Sequence, residues 1–329
     1  MPEKSSQHNV AVIGFGYWGK NLVRNFFEIG VLKAICDADQ KQLKEFQQAY
    51  EVSQAFHKFD EVLLSAEIKA VVIATPAATH YELVKASLKA GKDVLVEKPL
   101  ALQLSEAKEL IRIAEKQKRI LMVDHILRYH PAVIKLKELI DTGVLGKLRY
   151  IYSNRLNIGR LRQEENILWS FAPHDISVIL YLAEESPLKV EAFGEAYLQD
   201  HIYDITTTYL TFSDRLKSHI FVSWLHPYKE QKLIVIGDHN MAVFDDVEEE
   251  RKLVLYPHRV EWIHRAPVAA KAETEVVEVL KKEPLREVCL HFLNCLQTRE
   301  IPLTDGREAL AVLNVLDQAQ RSLDQKRAG

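Results

Sequence analysis

The hexapeptide Gly14-Phe15-Gly16-Tyr17-Trp18-Gly19 constrains this chain more than any other feature. It follows the β-branched, apolar run Val10–Ile13 and opens a stretch in which Trp18, Leu22, Phe26 and Ile29 recur at helical spacing. Three glycines at this spacing, between strand and helix, permit a tight turn, a close approach of backbone to a pyrophosphate, and close packing of helix on strand. The unpaired N–H groups of the helix N-terminus would face the phosphates. Phe15, Tyr17 and Trp18 complete the loop, and all six residues are candidate dinucleotide contacts. The alternative is a purely structural glycine turn, and the strand–turn–helix context argues against it.

The same alternation continues downstream. Short apolar runs at Ala34–Cys36, Ala70–Ala74, Val94–Val96 and Ile120–Val123 alternate with helix-period stretches. Continuous apolar strands between amphipathic helices imply a parallel sheet covered on both faces, a doubly wound α/β domain. The pattern changes after Val123. A helix is expected from Pro131 to about Thr142, punctuated by proline at its start and Gly143 after its end. Alternating segments rich in Tyr, Thr, Ile and Val then follow at 147–157, 188–198, 203–212, 217–225, 232–237 and 252–260. They imply an open-faced, mainly antiparallel sheet. Acidic residues 245–250 read as a solvated turn between two of these strands. Two one-faced helices close the chain, the second with Asp305 as N-cap and Glu308 three residues on. The expected division is residues 1–125 for a dinucleotide domain and 126–329 for an α+β domain that binds substrate and mediates oligomerisation.

Chemistry-bearing residues fall at strand ends. Asp37 ends the second strand, where a carboxylate can accept hydrogen bonds from ribose hydroxyls and would repel a 2′-phosphate. That favours NAD(H) over NADP(H), with helix capping as the other role for Asp37 and Asp39 as a competing cap. Thr75 and Pro76 follow the apolar run Ala70–Ala74, at the carboxyl edge where ligands bind in this architecture. Thr79 is a candidate helix cap, and His80 a candidate cofactor contact. Glu97-Lys98-Pro99 follows Val94–Val96 at the same edge. A lysine there could act as a base near neutral pH only if its ammonium were made more acidic, as a neighbouring cationic ring would do.

Together GFGYWG, ATPAATH and VLVEKPL resemble the Gfo/Idh/MocA (glucose–fructose oxidoreductase / inositol dehydrogenase) family. The resemblance continues through Arg128-Tyr129-His130-Pro131, Gly143-Val144-Leu145-Gly146, Pro173-His174-Asp175 and Asp305-Gly306-Arg307-Glu308-Ala309, so it covers essentially the whole chain. It implies a Rossmann domain followed by an open-faced sheet domain. It implies Lys98 and His174 as catalytic residues assisting proton transfer, and Glu97 and Arg128 among the cofactor contacts. One position departs from the family pattern: Ser170 stands four residues before His174, where an aspartate is usual. Serine cannot carry a charge that orients imidazole, so either Asp175 or a substrate carboxylate substitutes or activity is reduced.

The segment RLNIGRLRQEENILWSFAPHD resembles the branch acting on nucleotide-linked sugars, particularly at C3 of UDP-sugars or their uronates. Residues 149–162 carry Arg149, Arg155, Arg160 and Arg162 and no acid. Arginine forks suit phosphate and carboxylate, making Arg155, Arg160 and Arg162, with Trp169 and Asp175, candidate substrate residues. The alternative is that these arginines pair with Glu164, Glu165 or another subunit. The leading expectation is thus an NAD-dependent sugar dehydrogenase. A dehydrogenase of a free sugar or polyol such as inositol, or an attenuated NAD(H) sensor, stands as the alternative.

Composition excludes other classes. With 43 Lys and Arg against 46 Asp and Glu, the net charge is −3, too balanced to recruit nucleic acid or an anionic membrane by bulk field. Three cysteines without CxxC spacing make neither a disulfide framework nor a zinc site, and the dispersed histidines suggest no metal constellation. With no secretory signal or membrane span, a cytoplasmic protein is expected. The family resemblance implies a homodimer or homotetramer formed through the open sheet.

Overall fold

A computed structural model describes residues 9–159 and 161–327. The chain divides into two compact units: residues up to Ile126 together with Glu283–Leu313, and Leu127–Lys282 together with the residues from Asn314 onward. The closing helices therefore do not all stay with the second domain, as the sequence reading expected; residues 283–313 return to the first.

In the first unit, six strands form one parallel sheet: β1 (Val10–Ile13), β2 (Leu32–Cys36), β3 (Gln54–Phe56), β4 (Ala70–Ile73), β5 (Asp93–Glu97) and β6 (Leu121–Asp124). Their order is β3-β2-β1-β4-β5-β6. This is the doubly wound order, whose direction reverses between β1 and β4 and opens a crevice at the carboxyl edge there. β1 and β4 are buried along their whole length, as continuous β-branched runs require when helices cover both faces. The crossover helices are α1 (Gly19–Ile29), α2 (Gln40–Ala49), α3 (Phe59–Leu64), α4 (His80–Lys89) and α5 (Leu104–Gln117).

The second unit holds α6 (Pro131–Asp141), β7 (Leu148–Leu156), α7 (Ile167–Ala183), β8 (Lys189–Glu195), β9 (Ile205–Thr211), β10 (Lys217–Ser223), β11 (Glu230–Gly237), β12 (Met241–Asp245), β13 (Leu253–Tyr256), β14 (Arg259–Ile263), β15 (Ala266–Ala270) and β16 (Glu275–Val276). Eight of these strands form a sheet in the order β16-β13-β12-β11-β7-β10-β9-β8. It is antiparallel except for the central β7–β10 pair. α7 packs on β7, β9 and β10, and the residues facing it (Ile151, Thr208, Ile220, Val222) are buried. The opposite face carries Tyr150, Tyr152, Tyr209 and His219. There the Tyr152 ring stacks on His219 at 5.1 Å, and the Tyr150 hydroxyl lies 2.8 Å from His219 Nδ1. β14 and β15 make a separate exposed hairpin.

α8 (Pro284–Thr298) packs on α1 in the first unit, where Glu283 pairs with Arg24 and accepts from Asn25 at 3.2 Å. Arg299 grips Asp93 through two 2.9 Å hydrogen bonds. α9 (Gly306–Arg327) begins with Asp305 accepting from the N–H groups of Arg307 and Glu308. The Glu308 carboxylate meets His125 Nδ1 at 2.6 Å. All three cysteines are buried and unbridged, and burial pushes the Cys36 thiol up to about 12. No helix among the described residues is long and apolar enough to cross a membrane. No group of three or more His, Cys, Asp or Glu among them could hold a metal ion.

Candidate active site

The dinucleotide cradle is built by the turn from β1 into α1. Gly14 has φ +78°, and a Cβ there would lie 2.8 Å from the Thr75 side chain. A Cβ on Gly19 would strike the Gly14 carbonyl oxygen, so that position admits only glycine without backbone movement. Around Gly16, by contrast, nothing lies within 4 Å of a Cβ position. The first and third glycines let the turn close and the helix seat; the second borders open space. That is the geometry a pyrophosphate requires over the N-terminus of α1.

Asp37 lies beside this turn. Its carboxylate accepts the Phe15 N–H at 3.0 Å and the Asp39 N–H at 2.9 Å. Helix α2 is capped by Asp39, which accepts from Lys41 and Gln42. The two roles open for Asp37 are thereby separated, and its remaining oxygen lone pairs stay available to ribose hydroxyls. Tyr17 is exposed and Trp18 partly so, while the Phe15 side chain is buried against Phe46. Phe15 can therefore offer a ligand only its backbone.

Contrary to its reading as a cofactor contact, His80 is buried, with its ring nitrogens 2.7 Å from the Pro99 carbonyl and 2.9 Å from the Thr75 carbonyl. Burial, opposed by those two carbonyls, holds its ionisation below the ordinary imidazole range. It ties the loop after β4 to the loop after β5 and has no edge left for a cofactor. Thr79 does not cap α4 through its side chain; its hydroxyl donates to the Pro76 carbonyl and meets Thr75 Oγ1 at 2.7 Å. Lys98 follows β5 directly, at the carboxyl edge of the sheet, on a segment held by His80 through Pro99.

Within the second unit, α7 carries Trp169, Ser170, His174 and Asp175. Asn166 caps it by accepting the Trp169 N–H. Pro173 lies inside the helix and removes the hydrogen bond to the carbonyl four residues back. Ser170 is buried one turn before a half-buried His174.

The candidate substrate residues have other partners. Arg155, 8% exposed, donates from Nε to Asp175 at 2.7 Å and from Nη2 at 3.3 Å. With the Gln231 amide assigned the orientation its neighbours demand, Arg155 Nη1 donates to the amide oxygen and the amide N–H donates to Asp246. Arg155 therefore has no fork left for substrate, and Asp175, 3% exposed, is held by the Arg155 guanidinium. Arg162 pairs with Glu165 at 3.2 Å, one of the pairings foreseen, and Arg149 pairs with Asp238 at 2.8 Å. The Trp169 indole donates to Gln320. Arg128 stacks on Tyr181, 3.8 Å from the ring centroid. Arg160 lies outside the described residues.

Residues 8–125 match the model of an oxidoreductase family with an NAD-binding Rossmann fold, and residues 133–243 match the GFO/IDH/MocA C-terminal domain. The chain belongs to the Gfo/Idh/MocA family. It is a dehydrogenase of the sugar and polyol type that binds a nicotinamide dinucleotide and acts on a small molecule. It is similar to a UDP-N-acetylglucosamine 3-dehydrogenase of Acidithiobacillus ferrooxidans, 27% identical over 92% of this chain and 93% of that protein. A solved structure of that enzyme superposes with TM-score 0.85 at 25% identity, covering 96% of this chain and 97% of the other. A myo-inositol 2-dehydrogenase of Thermotoga maritima is 24% identical over 97% of both chains.

Proposed function

We propose that this enzyme oxidises a secondary hydroxyl of a nucleotide-linked sugar, at C3 of a UDP-sugar or its uronate, with NAD as acceptor. The observation that carries the substrate is the similarity to a UDP-N-acetylglucosamine 3-dehydrogenase along nearly the full length of both chains. Arg149, Arg155 and Arg162 add no support, since each is held in an ion pair. NADH formation with UDP-N-acetylglucosamine, UDP-glucuronate, myo-inositol and glucose tests the reading. Turnover of a UDP-sugar is expected; turnover of inositol or glucose with none of either UDP-sugar would replace it by the polyol reading.

The glycine turn cradles the pyrophosphate, and Asp37 accepts from the adenosine ribose. The bound dinucleotide supplies the hydride acceptor, its nicotinamide ring. Lys98 takes the hydroxyl proton at Nζ, from a backbone held by His80. The family resemblance gives His174 the second proton-transfer role. Asp37 also sets cofactor choice, because its charge beside the ribose opposes a 2′-phosphate. Asp37→Ala is expected to narrow the NAD-over-NADP preference by roughly 10-fold or more, about 1.4 kcal/mol, measured as the ratio of kcat/KM values. An unchanged ratio refutes the role.

The open face of the eight-stranded sheet, with its tyrosines and His219, is where the chain self-associates into a dimer or tetramer. Sedimentation showing only single 37.8 kDa chains would remove this part of the proposal.

A further inference from the structure

The carboxyl ends of β5 and β6 bring two acids together in the interior. Glu97 and Asp124 are register partners on adjacent parallel strands, so their side chains leave the sheet on the same face, with backbones about 4.8 Å apart. Asp124 is 2% exposed. Among the described residues no donor closes a hydrogen bond on Oε1 of Glu97 or on either carboxyl oxygen of Asp124, and all three atoms are buried. The surroundings offer few charges. Lys98 follows Glu97, and the Trp18 indole from the start of α1 lies beside both carboxyls. His125 follows Asp124 but is engaged by Glu308 of α9. From α8 the nearby titratable group is the Cys289 thiol, which burial and Asp124 push up.

Two adjacent buried carboxylates that share little more than the Trp18 indole as a donor cannot both remain ionised in the interior. One proton held between them resolves the conflict: the protonated carboxyl donates to the other, and one negative charge remains. We propose that Glu97 and Asp124 form a one-proton carboxyl dyad whose single negative charge, next to Lys98, sets how readily the Lys98 ammonium releases its proton. Both groups titrate as members of the pair, and burial and mutual repulsion raise Glu97 well above the usual carboxylate range, with Asp124 raised as well. The residues act through Lys98 and are positioning residues. The catalytic consequence rests on the role given to Lys98 under the proposed function; the dyad itself does not.

Sharing a proton makes the two single amide variants equivalent. Glu97→Gln leaves Asp124 ionised beside an amide donor. Asp124→Asn leaves Glu97 ionised in the same way. Each keeps one negative charge, and only the double variant Glu97→Gln/Asp124→Asn removes it. The full-length protein is reductively methylated with ¹³C-formaldehyde, and Lys98 is identified by its absence from the Lys98→Arg spectrum. Its titration is then followed by NMR. The Lys98 midpoint is expected to fall by about 1–3 pH units in the double variant and to stay within about half a unit in either single one. An Asp124→Asn midpoint that falls as far as the double variant's overturns the shared proton. A double-variant midpoint equal to the wild type overturns the action on Lys98.

Infrared spectra of the wild-type protein need no variant to fold. They are expected to show a buried protonated-carboxyl stretch at neutral pH, absent from both single variants; its absence from the wild type overturns the dyad. The basic limb of kcat/KM should follow the Lys98 midpoint to lower pH in the double variant. A limb that stays in place while the NMR midpoint moves overturns the catalytic role of Lys98 and leaves the dyad standing.

Discussion

Lys98→Met is expected to lower kcat by roughly 10²–10⁴-fold, while dinucleotide affinity, read by fluorescence titration of NADH, changes by no more than about twofold. The larger figure corresponds to about 5 kcal/mol of lost transition-state stabilisation. β5 is a buried parallel strand, and its carboxyl end opens on the crevice side of the sheet. The next backbone unit is held by the His80–Pro99 contact and, through the same imidazole, tied to the Thr75 loop. A proton-transfer group needs this preorganisation, because small errors in placing it are costly in rate. Methionine keeps the length and apolar stem of lysine and removes only the nitrogen. A loss confined to kcat therefore assigns the proton step to Nζ. A variant that loses NADH affinity in proportion to activity would make Lys98 a cofactor anchor instead, and full activity would remove it from the chemistry.

The dinucleotide half of this site was legible because its signals are local. A strand, three glycines and an amphipathic helix fall within twenty residues, and each glycine has a steric or spatial reason that pattern alone anticipates. What escaped the sequence reading depends on contacts between distant residues. β3 is three half-buried residues at a sheet edge, too short and too mixed for any period to register. β12 was missed although the polar turn Asp238-His239-Asn240 separates it from β11, because five residues running straight into an acidic stretch read as part of the turn. The return of α8 to the first unit leaves no compositional trace; it is recorded in pairs such as Arg24 with Glu283 and Arg299 with Asp93. Asp124 looked ordinary for the same reason. An acid at a strand end is unremarkable until the register sets another acid beside it. Arg149 and Arg155 misled most. They are unopposed in their own segment, yet their counter-ions come from the β11–β12 turn and α7.

Arg155 gives the sharpest test of that last point, because its two readings predict opposite phenotypes. As part of the fold, Arg155→Ala removes the cation paired with the buried Asp175 carboxylate, which the Arg155 Nε and Nη2 groups now satisfy. Removing one partner of a buried pair leaves an uncompensated charge in a medium that solvates it poorly, at a cost of about 3–5 kcal/mol. It also leaves Gln231 without the donor for its amide oxygen, which couples the loss to Asp246 and His130. Equilibrium denaturation should therefore show a loss of about 3–5 kcal/mol, with a thermal midpoint lower by roughly 10 °C. Replacing both partners, as Arg155→Met with Asp175→Leu, removes the buried charges together and should recover most of that loss. Arg162→Ala breaks the partly exposed pair with Glu165 and should cost no more than about 1 kcal/mol. If Arg155 instead held a phosphate or carboxylate of the substrate, the single variant would keep its stability and lose affinity, seen as a raised KM with an unchanged melting curve. The same double variant would then stay as impaired as the single one. With Arg155 bonded through all three of its nitrogens inside the second unit, the stability phenotype with rescue is the expected result.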